Sequence, residues 1–472
     1  MNGLKSLLDN LNGIVWGLPM MVLLMGVHLL LTMRLKGPQR KIFKALRLSV
    51  TEEEGLEGGM SPFAALATAL AATLGTGNII GVSMAVALGG PGAVFWCWLA
   101  GVFGMATKYG ESLLAVKYRR RSEGGGYLGG PMYVMETALH SKPLAVLFSV
   151  LAAFAAFGTG CSVQANAIGS VMETAFHIRP VVTGTVICVL AAVVILGGAK
   201  KVAGVCEKLI PFMAVFYLGG CLALLYINRA FVLPAVRLIV TAAFTPRAAA
   251  GGFVGSTVLQ AARQGIARGL FSDESGLGTA PMAAAGARAG NSVRQALVAM
   301  TGTFWDTVVF CAVTGIVIVS SMLHEPAVFA GISGGDLAEA AFGLMNGFGH
   351  VIFAVSLVIF AFATILGWSF YGEQAVLYLL QRSSFRKFRR KEGALSPQPE
   401  GFLLGYRLLY LAAAFAGTVT SMGVVWAFSD LLNGLMALPN LVCILFLQRV
   451  IIRETDRYLW NGRLEERDEN LP

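Results

Sequence analysis

The chain has 472 residues, of which 56% are hydrophobic and only 13% are charged, and its mean hydropathy is +0.70. A single soluble core cannot bury that much apolar surface, so the composition excludes an ordinary α/β enzyme and predicts a protein whose solvent is lipid. The net charge of +10 would suggest a nucleic-acid partner in a soluble protein, but most Lys and Arg residues lie between apolar runs, so we expect them to set orientation and expect no nucleic acid.

The predicted elements are apolar runs, each near the roughly 20 residues that a helix needs to cross a bilayer core about 30 Å thick. The first run lacks a basic leader and a small-residue cleavage site, so we interpret it as a retained helix. Charged or Pro/Gly-rich breaks divide the chain into eleven candidate transmembrane helices, near residues 12–33, 61–86, 91–116, 143–170, 181–199, 205–232, 251–283, 295–320, 337–380, 401–423 and 425–449. An odd number of spans places the termini on opposite sides of the membrane.

The basic residues between these runs predict the orientation. Of the 36 Lys and Arg residues, 27 lie in segments on the side of the C-terminus and 5 lie on the opposite side. Because cytoplasmic loops carry the excess of positive charge, we predict a bacterial inner-membrane protein with its N-terminus outside and its C-terminus in the cytoplasm. The basic stretches at 34–47 and 381–391 are typical orientation signals, and contact with anionic lipid is the alternative.

Two of the apolar runs contain segments that are poor places to continue a helix. The second run carries LGTGNI at 74–79, and the seventh carries GLFSDESGLG at 269–278. Each interior glycine costs up to about 1 kcal/mol relative to alanine, and Asn, Asp and Ser compete for backbone hydrogen bonds. In a bilayer such backbone survives only where it lines a cavity or meets a ligand. Close packing through small residues is the alternative, but it accounts poorly for Asn78, Asp273 and Glu274.

The positions of the two breaks predict an inverted repeat. They fall in the first and sixth of the ten runs that follow the initial helix, and the two sets of five enter the membrane from opposite faces. We predict an extra N-terminal helix (1–33), a first repeat of five helices (61–232), a second repeat (251–449) and a cytoplasmic tail (450–472). Two discontinuous helices that meet in this way present amide donors to a carboxylate and carbonyls to a cation.

Four stretches carry a specific pattern: LGTGNIIGVSMAVALGGPGAVFWCWLAGVFGMATKYGESLLAVKYR, GGPMYVME, GLFSDESGLGTAPMAAAGARAG and VRQALVAMTGTFWDTVVF. The pattern resembles the alanine or glycine:cation symporters, also called sodium:alanine symporters. The similarity extends over nearly the whole chain, and the run GGPGAVFWCW at 89–98 is highly specific. The resemblance implies an all-α, leucine-transporter-like core of ten helices preceded by one extra helix, and it implies cation-driven uptake of alanine or glycine.

The resemblance also implies a substrate pocket formed by Asn78, Gln164, Phe271, Thr364 and Trp368, with the backbone of Gly75 and Gly77. Considered by their chemistry, Gly75, Thr76, Gly77 and Asn78 supply donors for the carboxylate of a small amino acid, and Gln164 or carbonyls near Phe271 accept from its ammonium group. Phe271 and Trp368 limit the size of its side chain. The alternatives are an interhelical hydrogen-bonding role for Gln164 and plain packing for the two aromatic residues.

A co-transported sodium ion is the predicted coupling ion. Hard cations prefer several oxygen ligands, so backbone carbonyls near Gly75 and the hydroxyl of Thr364 are the predicted sodium ligands. The chain departs from the family pattern at Asp273 and Ser275, where Asn and Ala are usual, and at Cys97, where Met is common. The added carboxylate makes Asp273 and Glu274 candidates for gating or coupling, so proton coupling is an alternative, as is another small amino acid.

Other charged groups within the apolar runs are predicted to form structural ion pairs. Lys108 and Glu111 lie on adjacent turns, and Asp306 is expected in a buried network. Four charged residues lie in sequence around the second break: Arg263, Arg268, Asp273 and Glu274. For these residues the alternative to structural pairing is a gate or an ion-pair latch.

Rival classes fit the sequence less well. It lacks the HExxH motif of an intramembrane metalloenzyme, so we predict no enzyme, and it lacks the pore-lining repeat of a passive channel. The seven cysteines are scattered without a CxxC pair, so we interpret them as small buried hydrophobic residues.

Overall fold

The computed structural model describes residues 2–51, 53, 58–121, 126–246, 257–332, 334–382, 400–420, 422–469 and 471. Apart from one antiparallel pair of two-residue strands, β1 (Arg120–Arg121) and β2 (Tyr127–Leu128), the named elements in these residues are helical. The predicted all-α class is therefore confirmed. The beginning of the seventh predicted run, at 251–256, and most of the second basic stretch, at 383–391, lie outside the described residues.

In chain order the α-helices are α1 (Asn2–Val15), α2 (Leu18–Arg34), α3 (Ile42–Ser49), α4 (Pro62–Thr73), α5 (Val82–Gly89), α6 (Gly92–Lys117), α7 (Pro131–Thr137), α8 (Lys142–Ala155), α9 (Val163–Phe176), α10 (Pro180–Ile195), α11 (Ala199–Ile227), α12 (Arg229–Ala242), α13 (Val258–Asp273), α14 (Ala280–Ala285), α15 (Ser292–Thr303), α16 (Ala312–His324), α17 (Leu337–Gly343), α18 (Phe348–Arg382), α19 (Glu400–Val419) and α20 (Met422–Thr455). Short 3-10 helices lie at Pro38–Lys41 and Gly334–Asp336. Wider π-helical turns lie at Gly77–Gly81, Ala156–Ser162, Phe304–Cys311 and Asp456–Trp460.

Within the described residues, six continuous helical segments are long and apolar enough to cross a membrane, and the number rises to eight if each of two bent pairs is one span. One bent pair is α1 with α2, at 44°, and the other is α4 with the helical segment from Gly77 to Gly89, at 52°. The remaining described helices are shorter or less apolar. A polytopic helical membrane protein follows, while the count of eleven spans stays a prediction.

Three predicted runs are divided differently from the prediction. The first extends back to Asn2 and bends at Gly17, the cap of α2, whose second residue is Pro19. The run at 205–232 ends at Ile227, and the separate helix α12 follows it. The run at 337–380 is split into α17 and α18 because Asn346 and Gly347 adopt positive φ angles of 39° and 75°, which a right-handed helix cannot contain.

Both predicted helix breaks are present. Helix α4 begins at the cap of Ser61, whose hydroxyl accepts from Ala64 N at 3.0 Å, and it ends at Thr73, after which Leu74 has a ψ of 90°. Helix α13 ends at Asp273 because Glu274 takes the left-handed conformation, with φ at 55°. The chain becomes helical again only at α14. The main chain is therefore interrupted twice, as the glycine and polar residues in these runs predict.

The two broken helices lie at the centre of the molecule. Helix α13 packs against α5 and α6, and α4 packs against α11 and α18. Helix α18 also contacts α8 and α9 and so connects the first break to the middle of the bundle. The interrupted backbone is thus enclosed by protein, which is the condition for such backbone within a bilayer.

Candidate substrate-binding site

Side-chain acceptors hold the main chain at the first break. The Gly75 N–H donates to Asn78 Oδ1 at 2.9 Å, and the Thr76 N–H donates to Gln164 Oε1 at 3.2 Å. Gln164 is itself fixed, because its Nε2 donates to Thr159 O at 3.1 Å. Two amides that a continuous helix would use internally therefore point at side chains of the site.

Asn78 joins the first break to the π-helical turn after α15. Its Nδ2 donates to Asp306 Oδ1 at 2.8 Å and to Asp306 O at 3.2 Å. Asp306 Oδ2 accepts from the Thr307 hydroxyl at 2.8 Å, so Asp306 lies in a buried network as predicted. The side-chain amide of Asn78 is bound within the protein on both sides, and its direct contact with a substrate stays a prediction.

The second break touches the first through Ser272. A Cβ atom placed at Gly77 would lie only 3.3 Å from Ser272 Cα, so glycine permits the close approach of the two segments. Asp273 Oδ1 accepts from Ser275 N at 2.7 Å, and Ser275 Oγ lies 3.1 Å from Thr303 Oγ1. The side chain of Asp273 thus forms a hydrogen bond within the second break, and the side chain of Ser275 contacts α15.

Oxygen atoms from three elements converge at Gly75. A Cβ atom there would lie 2.5 Å from Thr364 Oγ1 and 3.1 Å from Gln164 Oε1. The Thr364 hydroxyl can donate to either of two carbonyl oxygens, Leu74 O at 3.3 Å and Phe360 O at 3.1 Å. This arrangement places the two predicted sodium-binding residues, Gly75 and Thr364, side by side.

The two aromatic residues predicted to line the pocket are both closely packed. Trp368 follows Thr364 by one helical turn and packs so closely on Gly160 that no larger residue fits there. Phe271 stacks on Trp426 of α20, with ring centroids 5.2 Å apart and planes at 26°. Phe271 therefore has an aromatic partner, Trp426, that was not predicted from the sequence.

Arg268, one of the charged residues predicted to cluster around the second break, has a different partner from the one expected. Arg268 pairs with Asp430 of α20 at 3.8 Å rather than with Asp273 or Glu274, and its guanidinium lies 5.4 Å from the centre of the Trp426 ring. The reason is geometric: Arg268 lies more than one turn before the break. Asp430, four residues after Trp426, could have drawn attention as a carboxylate within an apolar run.

The pairing predicted on α6 is confirmed. Lys108 Nζ lies 3.7 Å from Glu111 Oε1, and both side chains are buried. Glu111 Oε2 also accepts from Asn440 Nδ2 at 2.8 Å, and the same amide donates to Gly276 O at 2.9 Å. This ion pair is thereby connected to the second break through α20.

The predicted site is closed to water from both sides. Its side chains are 0–6% exposed, and this set comprises Thr76, Asn78, Gln164, Phe271, Thr364 and Trp368. In the described part of the chain, Thr76 Oγ1 and Trp368 Nε1 have no hydrogen-bond partner, although the Trp368 indole lies near the Glu274 carboxylate. Because buried polar atoms are nearly always paired, the Thr76 hydroxyl is available to a ligand.

Comparisons with known proteins agree with this architecture. The model of the sodium:alanine symporter family matches residues 1–471. An uncharacterized transporter of Haemophilus influenzae is 42% identical over 469 residues, which cover 99% of each chain. The sodium/alanine symporter AgcS of Methanococcus maripaludis is 41% identical over 460 residues, which cover 96% of this chain and 97% of that protein.

A solved structure gives the same picture of the fold. The crystal structure of MhsT in complex with L-phenylalanine superimposes with a TM-score of 0.58 at 13% identity, and the match covers 87% of this chain and 96% of that one. At such low identity the likeness shows the fold alone, which is of the leucine-transporter type.

Proposed function

The chain belongs to the sodium:alanine symporter family, and on that premise we propose that it carries alanine or glycine across the membrane together with sodium. The family consists of transporters, so the chain is a secondary transporter and not an enzyme. The proposed site is the closed region between the two helix breaks, and the proposed cycle is alternating access to it.

One observation carries the proposal: the Thr76 hydroxyl, which belongs to the first break, lies buried without a hydrogen-bond partner in the described residues. An unpaired buried polar atom costs about 1–3 kcal/mol. A ligand with its own donors and acceptors would remove that cost. A small amino acid has both kinds of group at one end, and the site offers matching groups within one turn of each break.

The carboxylate of the substrate is proposed to bind at the first break. The N–H groups of Gly75 and Thr76 now donate to the side-chain oxygens of Asn78 and Gln164, and a carboxylate oxygen can replace such an acceptor. The helical turn that begins at Gly77 also directs its positive N-terminal end at the break. Charge-assisted hydrogen bonds of this kind are roughly twice as strong as neutral ones.

The ammonium group is proposed to face the other break. Helix α13 ends at Asp273, so its last carbonyls near Phe271 lack helical donors and carry the negative end of the helix dipole. Gln164 Oε1 is the second acceptor. The two broken helices thus offer opposite partial charges to the two ends of a zwitterion.

Aromatic packing supports a substrate with a small side chain. Phe271 is only 6% exposed and is backed by the ring of Trp426, and Trp368 is fully buried against Gly160. Neither ring can retreat without displacing a packed neighbour. Alanine and glycine add one carbon or none beyond the backbone, and a bulky side chain would have to displace these rings.

Sodium is proposed to bind where oxygens converge at Gly75. Thr364 Oγ1 and Leu74 O lie 3.3 Å apart, and Gln164 Oε1 is directed at the same glycine. Neutral hydroxyl and carbonyl oxygens are the donors that hard monovalent cations prefer. Bound sodium would neutralise the substrate carboxylate nearby, so the two would bind in a coupled manner.

Proton coupling through Asp273 is the second candidate because of one observation. Asp273 is 1% exposed, and its Oδ2 has no hydrogen-bond partner among the described residues, whereas Oδ1 accepts from Ser275 N. A buried carboxylate in this state is costly unless it holds a proton or lies near a cation. Glu274 is less suited because Thr279 already donates to its Oε2.

Uptake into proteoliposomes tests these proposals. Labelled alanine and glycine are supplied with an inward sodium gradient, with an inward proton gradient, and with neither, across a series of pH values. We expect concentrative uptake only with the sodium gradient. Accumulation that follows the proton gradient in sodium-free buffer would replace sodium by the proton, and equal flux under all three conditions would contradict coupled transport.

A further inference from the structure

The linker between α14 and α15, residues 286–291, joins the inner ends of both broken helices. Met60, two residues before α4, donates from its N–H to Gly286 O at 2.9 Å and accepts from Arg288 N at 2.8 Å. Arg119, beyond the end of α6, donates from Nη1 to Ala287 O at 2.5 Å. The two half-helices on this side, α4 and α14, are therefore tied to the same short segment.

The C-terminal segment crosses this linker. We call residues 461–469 together with Leu471 the C-terminal strap. Asn291 Nδ2 donates to Leu464 O at 2.8 Å and to Glu466 O at 2.9 Å, and Asp468 N donates to Gly290 O at 2.8 Å. Three hydrogen bonds thus join the strap to the linker. Two of them come from the side chain of Asn291, and the third joins the two main chains.

Apolar contacts hold the same strap. The Leu464 side chain is only 2% exposed, and Leu471 packs against a small cluster of Val116, Ala284 and Ala299. Ala284 belongs to α14, so the strap touches the inner half of the second broken helix directly.

Charged contacts also hold the strap. Arg294, in the first turn of α15, pairs with Glu53 and with Glu465, each at 2.5 Å. Glu53 Oε2 also accepts from Gly290 N at 2.9 Å, so Arg294 connects the strap to the segment that precedes α4. Lys117 of α6 lies 3.9 Å from Asp468. These contacts come from segments before α4, at α6 and at the C-terminus, and they all converge on the linker.

We infer that Asn291 is a positioning residue of the transport cycle, which fastens the C-terminal strap over the linker and keeps the inner ends of both broken helices closed. The inference rests on the proposed alternating-access function. Opening a path to the site on this side requires α4 or α14 to move against its neighbours. The Asn291 side chain is 1% exposed. While it is hydrogen-bonded to the strap, the linker cannot move with α4 or α14, so the strap must be released when the path opens.

The chain offers a variant that separates the two roles of Asn291. Its Oδ1 accepts from Arg294 N at 2.8 Å and so caps α15. Asn291→Asp keeps this acceptor, because Asp caps helices as well as Asn does, and removes both donors to the strap. A chain that ends after Trp460 removes the strap itself. Glu466→Gln is the matched control, because in the described residues that side chain pairs with Arg463 at the exposed surface.

Thiol labelling measures whether the inner path opens. Thr73→Cys places a reporter at the last residue of α4, which is 8% exposed and lies outside the strap contacts. The native cysteines of the parent chain supply the background rate. Each chain is reconstituted at full length, or ending after Trp460, and is labelled without sodium and without amino acid from the side of the C-terminus.

We expect Asn291→Asp and the shortened chain to label roughly tenfold faster than the reporter parent, as the loss of two buried hydrogen bonds implies. Glu466→Gln should label at the parent rate. In uptake from the opposite side, both release variants should show a raised KM with little change in the maximal rate per folded molecule. A strap with a merely structural role would lower the amount of folded protein and leave these readouts unchanged.

Equal labelling of the parent and both release variants would overturn the inference. If Asn291→Asp does not fold, the shortened chain decides by the same comparison, and failure of both to fold would show that the strap is needed for folding rather than for gating. Because labelling uses neither sodium nor amino acid, an error in the proposed substrate or ion would leave this result intact and would appear only in uptake.

Discussion

Gly75→Ala tests the proposed sodium site most directly. The added Cβ would lie 2.5 Å from Thr364 Oγ1, closer than real Cβ contacts, and 3.1 Å from Gln164 Oε1. Either Thr364 turns away or the backbone at the break shifts. Both movements separate the oxygens that we propose as sodium ligands.

The size of the effect follows from the cost of overpacking. Extra carbon in a packed interior typically costs about 1–3 kcal/mol, and a coupling loss of that size lowers binding roughly 5- to 150-fold. We expect Gly75→Ala to raise the sodium concentration for half-maximal uptake by at least about tenfold. The measurement is sodium-dependent alanine uptake in proteoliposomes, normalised to folded protein.

Two comparisons isolate the cause. Gly219→Ala in α11 introduces a methyl group that meets no atom within 4 Å, and in a helix this change stabilises by about 0.5–1 kcal/mol, so its sodium dependence should be unchanged. Gly75→Ala with Thr364→Ala removes the closer of the two contacts together with a proposed ligand. We expect this double variant to regain thermal stability without regaining sodium affinity. Wild-type sodium dependence in Gly75→Ala would refute the proposed site.

Three further predictions address the rest of the site. Gln164→Ala removes the acceptor of the Thr76 N–H and should raise the KM for alanine about tenfold, whereas an unchanged KM would remove Gln164 from the pocket. Trp426→Ala removes the ring behind Phe271, so competition assays should show inhibition by larger neutral amino acids that the parent rejects; an unaltered inhibition profile would count against the size limit. Asp273→Asn keeps the acceptor for Ser275 N and removes the protonatable group, so sodium-driven uptake should persist, while loss of all coupled uptake would favour the proton alternative.

Composition and local chemistry sufficed for much of the fold. The apolar runs required a bilayer. Glycine together with Asn78 in one run, and with Asp273 in the other, marked the places where a helix could not continue, because such residues weaken helical hydrogen bonding. The ion pair of Lys108 with Glu111 was predictable for the same reason, since residues three apart on a helix are always neighbours. The family resemblance also named Gln164 and Thr364, whose side-chain oxygens lie next to Gly75.

The tertiary structure alone decided which distant residues meet. Arg268 has acidic residues close by in sequence, yet its partner is Asp430 on α20, and Asn291 reaches the main chain of Leu464 far along the chain. Such pairings depend on the angles at which helices cross and on where each helix begins and ends. Those angles result from the packing of the whole bundle, so a local pattern of residues indicates that a charge or amide needs a partner but not which partner it receives.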